Sequence, residues 1–143
     1  MSDFAAKPYE VFEHTADVGL HASGASLREL FAHMAEGMES LLVPPEQVRT
    51  QVRREIHVEG HDTVSLLINW LNELIFLFDT EYLIFRHFEI DDLGETRLHA
   101  FVHGEPYDAQ RHDLGSAIKA ATWHGAAVEQ VEGGYRATVI FDI

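Results

Sequence analysis

The sequence predicts an α+β protein in which two main α-helices pack on an antiparallel-rich mixed β-sheet, a two-layer sandwich. Apolar residues recur at helical spacing in two segments, 27–42 and 64–78. Seven shorter segments alternate apolar and polar residues, as half-buried strands do. Two amphipathic helices cannot bury their apolar stripes alone, so we expect a sheet that covers both. The 143 residues predict a single domain over 1–143, with 1–7 as a flexible tail.

Two short strands open the predicted domain. Residues 9–13 and 18–22 each alternate apolar and polar side chains. The polar segment His14-Thr15-Ala16-Asp17 lies between them and predicts a turn. An aspartate in such a turn often stabilises the backbone with its own side chain, which is one interpretation of Asp17.

Both helices have recognisable ends. Ser26 and Glu29 have the spacing of a capping box at the start of the first helix, and Pro44-Pro45 stops it. Residues 52–58 alternate as a third strand. Asp62 then predicts the N-cap of the second helix, whose wide apolar stripe indicates deep burial.

The second half of the chain is predicted to be mostly strands. Residues 83–90 and 96–103 predict a hairpin around Asp91-Asp92-Leu93-Gly94, because aspartate and glycine suit a turn. The polar stretch 104–116 predicts a loop, while 117–130 fits no single pattern. Two final strands are expected on either side of Gly133-Gly134, near 128–131 and over 135–141.

The chain is strongly acidic, with 24 Asp and Glu residues, 10 Lys and Arg residues and a formal charge of −14. Nucleic-acid-binding proteins place Lys and Arg against phosphates, so we expect no stable direct binding to RNA or DNA. Divalent cations or a basic protein partner complement such a surface better. The same charge could serve only to keep the protein soluble. Composition alone does not distinguish solubility from binding of a cation or a basic partner.

Several features predict a cytoplasmic protein without membrane association. The absence of cysteine excludes disulfides, thiolate zinc sites and cysteine nucleophiles. The N-terminus lacks the basic region and apolar run of a signal peptide. The most apolar stretch, 64–78, is too short for a membrane span and is interrupted by Asn69, Asn72 and Glu73.

Two acidic segments are candidate metal ligands. Asp17 would lie at a strand edge, and the strand pattern of Phe141-Asp142-Ile143 continues to the last residue. If that strand is paired, the Asp142 side chain and the terminal carboxylate of Ile143 are held at a fixed point. Hard cations such as Ca²⁺ prefer several oxygen ligands of this kind. A turn-stabilising Asp17 and a solvated chain end are the structural alternatives.

Lys119 is one of only two lysines and lies in the compact segment Lys119-Ala120-Ala121-Thr122-Trp123-His124. Among alanine and isoleucine neighbours it could be partly buried beside carboxylates, which would keep it charged. An ordinary surface lysine explains the same pattern.

The ten histidines suggest a zinc site, but their spacing argues against one. His99 and His103 share a strand face, yet residues four apart on a strand lie about 13 Å apart. His57 and His61 have the same difficulty, and no H-E-x-x-H motif is present. Scattered surface histidines without a metal are therefore the better interpretation.

The sequence contains no common catalytic signature. A Walker loop, a G-x-G-x-x-G loop and a G-x-S-x-G elbow are all missing. Its many carboxylates form no recognisable acid–base pair. Intrinsic catalysis is therefore the weaker hypothesis.

Five motifs, in order and across nearly the whole chain, resemble those of the archease family. They are Tyr9–Leu20, Ser26–Phe31, Trp70–Leu74, Lys119–His124 and Phe141–Ile143. One departure is Trp123, which stands where many relatives carry tyrosine; both are large aromatic residues with a polar hydrogen.

The resemblance implies a compact α+β domain that assists an RtcB-type RNA ligase in tRNA splicing or RNA repair. In that family the ligase is the enzyme, and archease promotes its guanylylation by GTP and its repeated turnover. The resemblance further implies a divalent-metal site at Asp17, Asp142 and Ile143, with Lys119 as a functional lysine. Oxygen ligands favour Ca²⁺, with Mg²⁺ or Mn²⁺ as alternatives.

Two other functions remain open at this stage. A small chaperone or protein-interaction module would act on unrelated clients without metal. A stand-alone metal-dependent enzyme for phosphoester bonds would act with no ligase present.

Overall fold

The computed structural model describes residues 8–14 and 17–143. The tail predicted over 1–7 and the middle of the first turn, Thr15-Ala16, lie outside the described residues. The elements are β1 Tyr9–His14, β2 Asp17–Gly24, α1 Leu27–Leu42, a 3-10 turn Pro45–Gln47, β3 Val52–Glu59, α2 Thr63–Glu81, β4 Leu83–Leu93, β5 Arg97–Pro106, β6 Ala120–Val131 and β7 Gly134–Asp142. This order confirms the predicted α+β class with two main helices.

The strands form two sheets where one mixed sheet was expected. The four-stranded sheet has the order β1-β2-β7-β6, and the three-stranded sheet has the order β3-β5-β4. Within the described part of the chain, every pairing is antiparallel. The difference has a physical cause: alternation along one strand fixes its two faces but not which distant strand pairs with it.

The helices begin where the sequence predicts. The Ser26 hydroxyl accepts a hydrogen bond from the Glu29 backbone N–H at 3.1 Å and caps α1. Asp62 caps α2 and forms a capping box with Ser65. α1 and α2 are also tied together, because the Trp70 indole N–H donates to the Phe31 carbonyl at 3.1 Å in the core.

Side chains from both sheets pack against the helices and are buried there. Leu20 of β2 and Val139 of β7 are fully buried, as are Ala100 and Val102 of β5. The opposite face of each sheet points away from this core, by the alternation of strand side chains. No helix in the described residues is long and apolar enough to cross a membrane.

The bounds of β4 and β6 differ from the predicted ones, and β5 continues to Pro106, into the segment predicted to be a loop. β4 continues through Asp91 and Asp92 to Leu93, so the turn to β5 follows rather than includes the two aspartates. The ambiguous segment forms β6 over 120–131, and its register against β7 shifts between Thr122 and Ala127. Bulges of this kind interrupt the regular alternation, which explains why no single pattern was visible.

Candidate functional site

Asp17 and Asp142 lie directly opposite each other in the four-stranded sheet. Asp17 is the first residue of β2, Asp142 is the last residue of β7, and the two are register partners. Opposed residues in an antiparallel pair project from the same face, with Cβ atoms about 4.5–5.5 Å apart. Two carboxylates 125 positions apart in sequence therefore meet at one corner of the sheet.

Lys119 reaches the same corner from the other side of β7. Its backbone N–H donates a hydrogen bond to the Asp142 carbonyl oxygen at 2.8 Å. The next residue, Ala120, begins β6 and is the register partner of Asp142. Lys119 and Asp142 are exposed, Asp17 is half-buried, and Ile143 follows with 39% of its surface exposed. The four predicted site residues thus lie on adjacent strand ends, which we call the carboxylate corner.

Asn72 fixes the strand that carries this corner. Its side-chain amide donates to the Ala121 carbonyl at 3.2 Å, and its side-chain carbonyl accepts from the Ala121 N–H at 2.8 Å. β6 is the edge strand of its sheet, so these groups face α2 instead of another strand. The sequence offered a signal for this role, since Asn72 interrupts the apolar stripe of α2, but its partner was not predictable.

The bulge of β6 covers the outer face of the sheet beside the corner. The Thr122 hydroxyl donates to the Ile140 carbonyl at 2.8 Å. Gly125, at φ +68°, lies so close that an added Cβ would be 3.3 Å from the Ile140 Cδ1 atom. Ile140 is only 8% exposed, although it lies on the face opposite the core. The same bulge leaves Trp123, four residues after Lys119, 58% exposed.

A buried ionic network holds the segment 104–116, which precedes Lys119 and was predicted to be a loop. Glu105 is 3% exposed and binds the Arg111 guanidinium, the His112 ring and the Arg49 backbone N–H. His112 Nδ1 accepts from the Asp108 N–H, so its Nε2–H donates to Glu105. Although burial opposes it, these hydrogen bonds and the Arg111 charge hold the pKa of Glu105 below its ordinary value.

The loop is also attached to α1. The Gly115 and Ser116 N–H groups donate to the carbonyls of Leu42 and Leu41 at 2.7 and 2.8 Å. These carbonyls belong to the last turn of the helix, where no intrahelical donor is available. The chain therefore enters the corner at Lys119 from a fixed direction.

The chemistry of the corner suits a hard cation. Two carboxylates on one face supply oxygen donors, and the main-chain oxygens of Ile143 lie one residue away. Like charges directly opposite on neighbouring strands destabilise a sheet, and a divalent cation between them relieves that repulsion. The donor set thus fits Ca²⁺, Mg²⁺ or Mn²⁺ better than a metal that prefers nitrogen or sulfur.

Comparison with known proteins agrees over nearly the whole chain. The Archease protein family (MTH1598/TM1083) matches residues 9–143. A protein archease from Pyrococcus abyssi is 37% identical, with 96% of this chain and 99% of that protein covered. A protein archease from Methanosarcina mazei is 34% identical, with 96% and 97% covered.

Solved structures show the same fold. The solution structure of Methanobacterium thermoautotrophicum protein 1598 has a TM-score of 0.79 at 31% identity and covers 95% of this chain and 99% of that one. A crystal structure from Thermotoga maritima, described as an archease and possible chaperone, has a TM-score of 0.63 at 21% identity, covering 94% and 96%. At that lower identity the likeness concerns the fold alone. The family match and the relatives above 30% identity show that this chain belongs to the archease family.

Proposed function

We propose that this protein activates an RtcB-type RNA ligase, promoting its guanylylation and its multiple turnover in tRNA splicing or RNA repair. In this proposal the protein is an accessory factor, and the ligase carries out the chemistry. Activation depends on a divalent cation, Ca²⁺ in the first instance, held by Asp17, Asp142 and Ile143. The observation that carries the proposal is the register pairing of Asp17 with Asp142.

The pairing supports a metal role more strongly than a structural one. A turn-stabilising aspartate needs no second carboxylate, and a solvated end needs no fixed partner. Here the two acidic residues are opposed across a strand pair, and a cation bound between them would relieve their mutual repulsion.

Lys119 is proposed to act at the same corner. Its backbone is fixed by the Asp142 carbonyl, and its side chain is exposed. An ammonium group here can contact a phosphate of the nucleotide or orient a neighbouring carboxylate. Its backbone hydrogen bond to the Asp142 carbonyl keeps Lys119 beside the proposed metal ligands, although its ammonium group is not itself an oxygen donor.

The surface around the corner suits a protein partner with a basic, metal-containing site. The formal charge of −14 favours association with a positively charged surface. Trp123, four residues after Lys119, is 58% exposed, and tryptophans often carry much of the binding energy of an interface. An acidic corner flanked by one large aromatic side chain is thus our proposed contact surface for the ligase.

The proposal is tested by counting ligation turnovers with a purified RtcB-type ligase, with and without Ca²⁺. We expect Asp17→Ala, Asp142→Ala and Lys119→Ala to reduce turnovers per ligase at least about tenfold, as loss of a metal or its support does. Asp92→Ala and Arg97→Ala change the same charges at exposed positions on the other sheet and serve as controls. Normal multiple turnover with all three corner variants would sink the proposal.

The same assay separates the two competing functions. A chaperone, the role suggested in the description of the Thermotoga maritima structure, would suppress aggregation of unrelated clients without metal. A phosphoester-cleaving enzyme would be active with no ligase present. Either result, together with an unstimulated ligase, would replace the activator proposal.

A further inference from the structure

The outer face of the three-stranded sheet carries a second set of metal-binding side chains. It faces away from the helices and places histidines in opposed pairs, His57 with His99 and His87 with His103. Carboxylates stand beside both pairs. Two groups of three side chains result, each with its ligand atoms within 4.8 Å of one another: Glu55, His57 and His99; His87, Glu89 and His103.

A bulge in β4 creates the second group. Phe85 pairs with Gly104 and His87 pairs with His103, so Arg86 is an extra residue in β4. Before the bulge Phe85 points into the core, and after it Phe88 does. The shift turns His87 and Glu89 to the outer face, where β5 presents His103. β-Bulges commonly re-aim side chains beside functional sites in this way.

The distances within this group are longer than hydrogen bonds and fall in the range of loose ion pairs, which a shared metal ion would draw together. Glu89 Oε1 lies 3.8 Å from His87 Nε2 and 3.6 Å from His103 Nε2. These separations exceed the usual hydrogen-bond range. They lie near the spacing of about 3.4 Å between two ligands of a tetrahedral zinc ion with bonds of about 2.0–2.1 Å.

The ring of His103 is the member of this group whose hydrogen bonding points to a ligand. Its Nε2 atom is buried, yet no other described residue gives it a hydrogen bond. A buried polar atom without a partner costs free energy, and such atoms are rare in folded proteins. A cation between His103, Glu89 and His87 would satisfy it.

The neighbouring group, Glu55, His57 and His99, is hydrogen-bonded differently. His99 Nε2 lies 2.6 Å from Glu55 and Nδ1 lies 3.0 Å from Asp91, so both ring nitrogens bond carboxylates. The hydrogen bond with Glu55 and the second carboxylate raise the pKa of His99. Both ring nitrogens of His99 already have partners, which makes this group an internal control for the one around His103.

We propose that His87, Glu89 and His103 bind a Zn²⁺ ion, separate from the carboxylate corner. Two imidazole nitrogens and one carboxylate oxygen are a common zinc ligand set, and they leave a fourth position for water or a partner's side chain. Nitrogen donors favour Zn²⁺ over the Ca²⁺ expected at the corner. The sequence concealed this group, because its two histidines lie on different strands and the bulge sets their register.

The test is a calorimetric titration of the full, tag-free, metal-free chain with ZnCl₂ in saturating Ca²⁺, which is added to fill the proposed corner site. We expect one zinc per chain, and an affinity at least about tenfold weaker in His87→Asn, His103→Asn and Glu89→Gln. The matched controls His57→Asn and His99→Asn should bind as the wild type does. Circular dichroism of the metal-free variants checks that each is folded.

A second readout uses Co²⁺ in place of zinc. A tetrahedral site gives intense visible absorption, which we expect in the wild type and in His99→Asn but not in His103→Asn. The proposal is overturned if the wild type binds no zinc, if His103→Asn titrates like the wild type, or if the His57 and His99 variants lose the ion instead. These outcomes do not depend on the ligase and leave the activator proposal to its own test.

Discussion

At the residue scale, the surroundings of the buried carboxyl of Glu39 shift its pKa strongly. It is 4% exposed in the last turn of α1, and its Oε1 atom accepts the Phe85 N–H at 3.0 Å. Its Oε2 atom is buried and has no partner among residues 8–14 and 17–143. Burial raises the pKa of Glu39 to about 8, against the opposing effect of the Phe85 hydrogen bond. Glu39 is therefore protonated in the folded protein at neutral pH.

This shift makes stability depend on pH in a defined direction. The folded pKa of about 8 lies above the ordinary value of 4.5, so the protonated form stabilises the fold fully below pH 4.5. That contribution is lost as the pH rises from 4.5 through 8. The side chain of Glu39→Gln stays neutral at every pH. Over this range the free energy of unfolding of the variant should therefore rise, relative to that of the wild type, by on the order of 2 kcal/mol or more.

Urea unfolding of both proteins at several pH values measures the difference. Glu46→Gln, a change at an exposed glutamate in the turn after α1, is the control and should show no comparable trend. A constant difference between Glu39→Gln and the wild type across the range would contradict the assignment of Glu39 as a neutral buried acid.

At the scale of elements, local signals predicted the helices well and the sheets incompletely. Each helix carries its own signals, which are a capping residue, Ser26 or Asp62, and an apolar stripe. α1 and α2 can therefore be predicted from the sequence alone. The split into two sheets depends on β7 returning beside β2 and on β5 lying between β3 and β4, which are non-local pairings. The bulge in β4 likewise has no signature in its own strand, and Gly125 marks the bulge in β6 only once that segment is known to be a strand.

The attachment of β6 to α2 through Asn72 gives a prediction at this scale. Asn72→Ala leaves the Ala121 N–H and carbonyl without their partner, so we expect a loss of about 2 kcal/mol of stability. Amide hydrogen exchange should also quicken at Ala121 and Lys119, where the strand is attached to the corner. Asn69→Ala removes one exposed hydrogen bond on the same helix and should cost less than about 1 kcal/mol.

Faster exchange confined to α2, with Lys119 and Ala121 protected as in the wild type, would show that Asn72 does not hold the edge strand. The element-scale account of the corner would then need another anchor for β6, such as the Lys119 hydrogen bond to Asp142.

At the scale of the whole molecule, two separate faces carry different donors. The corner of the four-stranded sheet offers oxygens from Asp17 and Asp142, and the outer face of the three-stranded sheet offers imidazole nitrogens. The residues of the corner were predictable because a resemblance supplied them as a set. Their adjacency was not predictable, since it rests on the register of β2, β7 and β6 together.

We propose above all that the paired aspartates serve the chemistry of a partner ligase. The measurement that tests this proposal most directly is the fraction of a purified RtcB-type ligase that carries covalently bound guanylate after incubation with GTP, Ca²⁺ and this protein. We predict that the wild type and the control Asp92→Asn raise that fraction, while Asp17→Asn combined with Asp142→Asn leaves it at the level of ligase alone. Equal guanylylation with the double variant and the wild type would contradict the account.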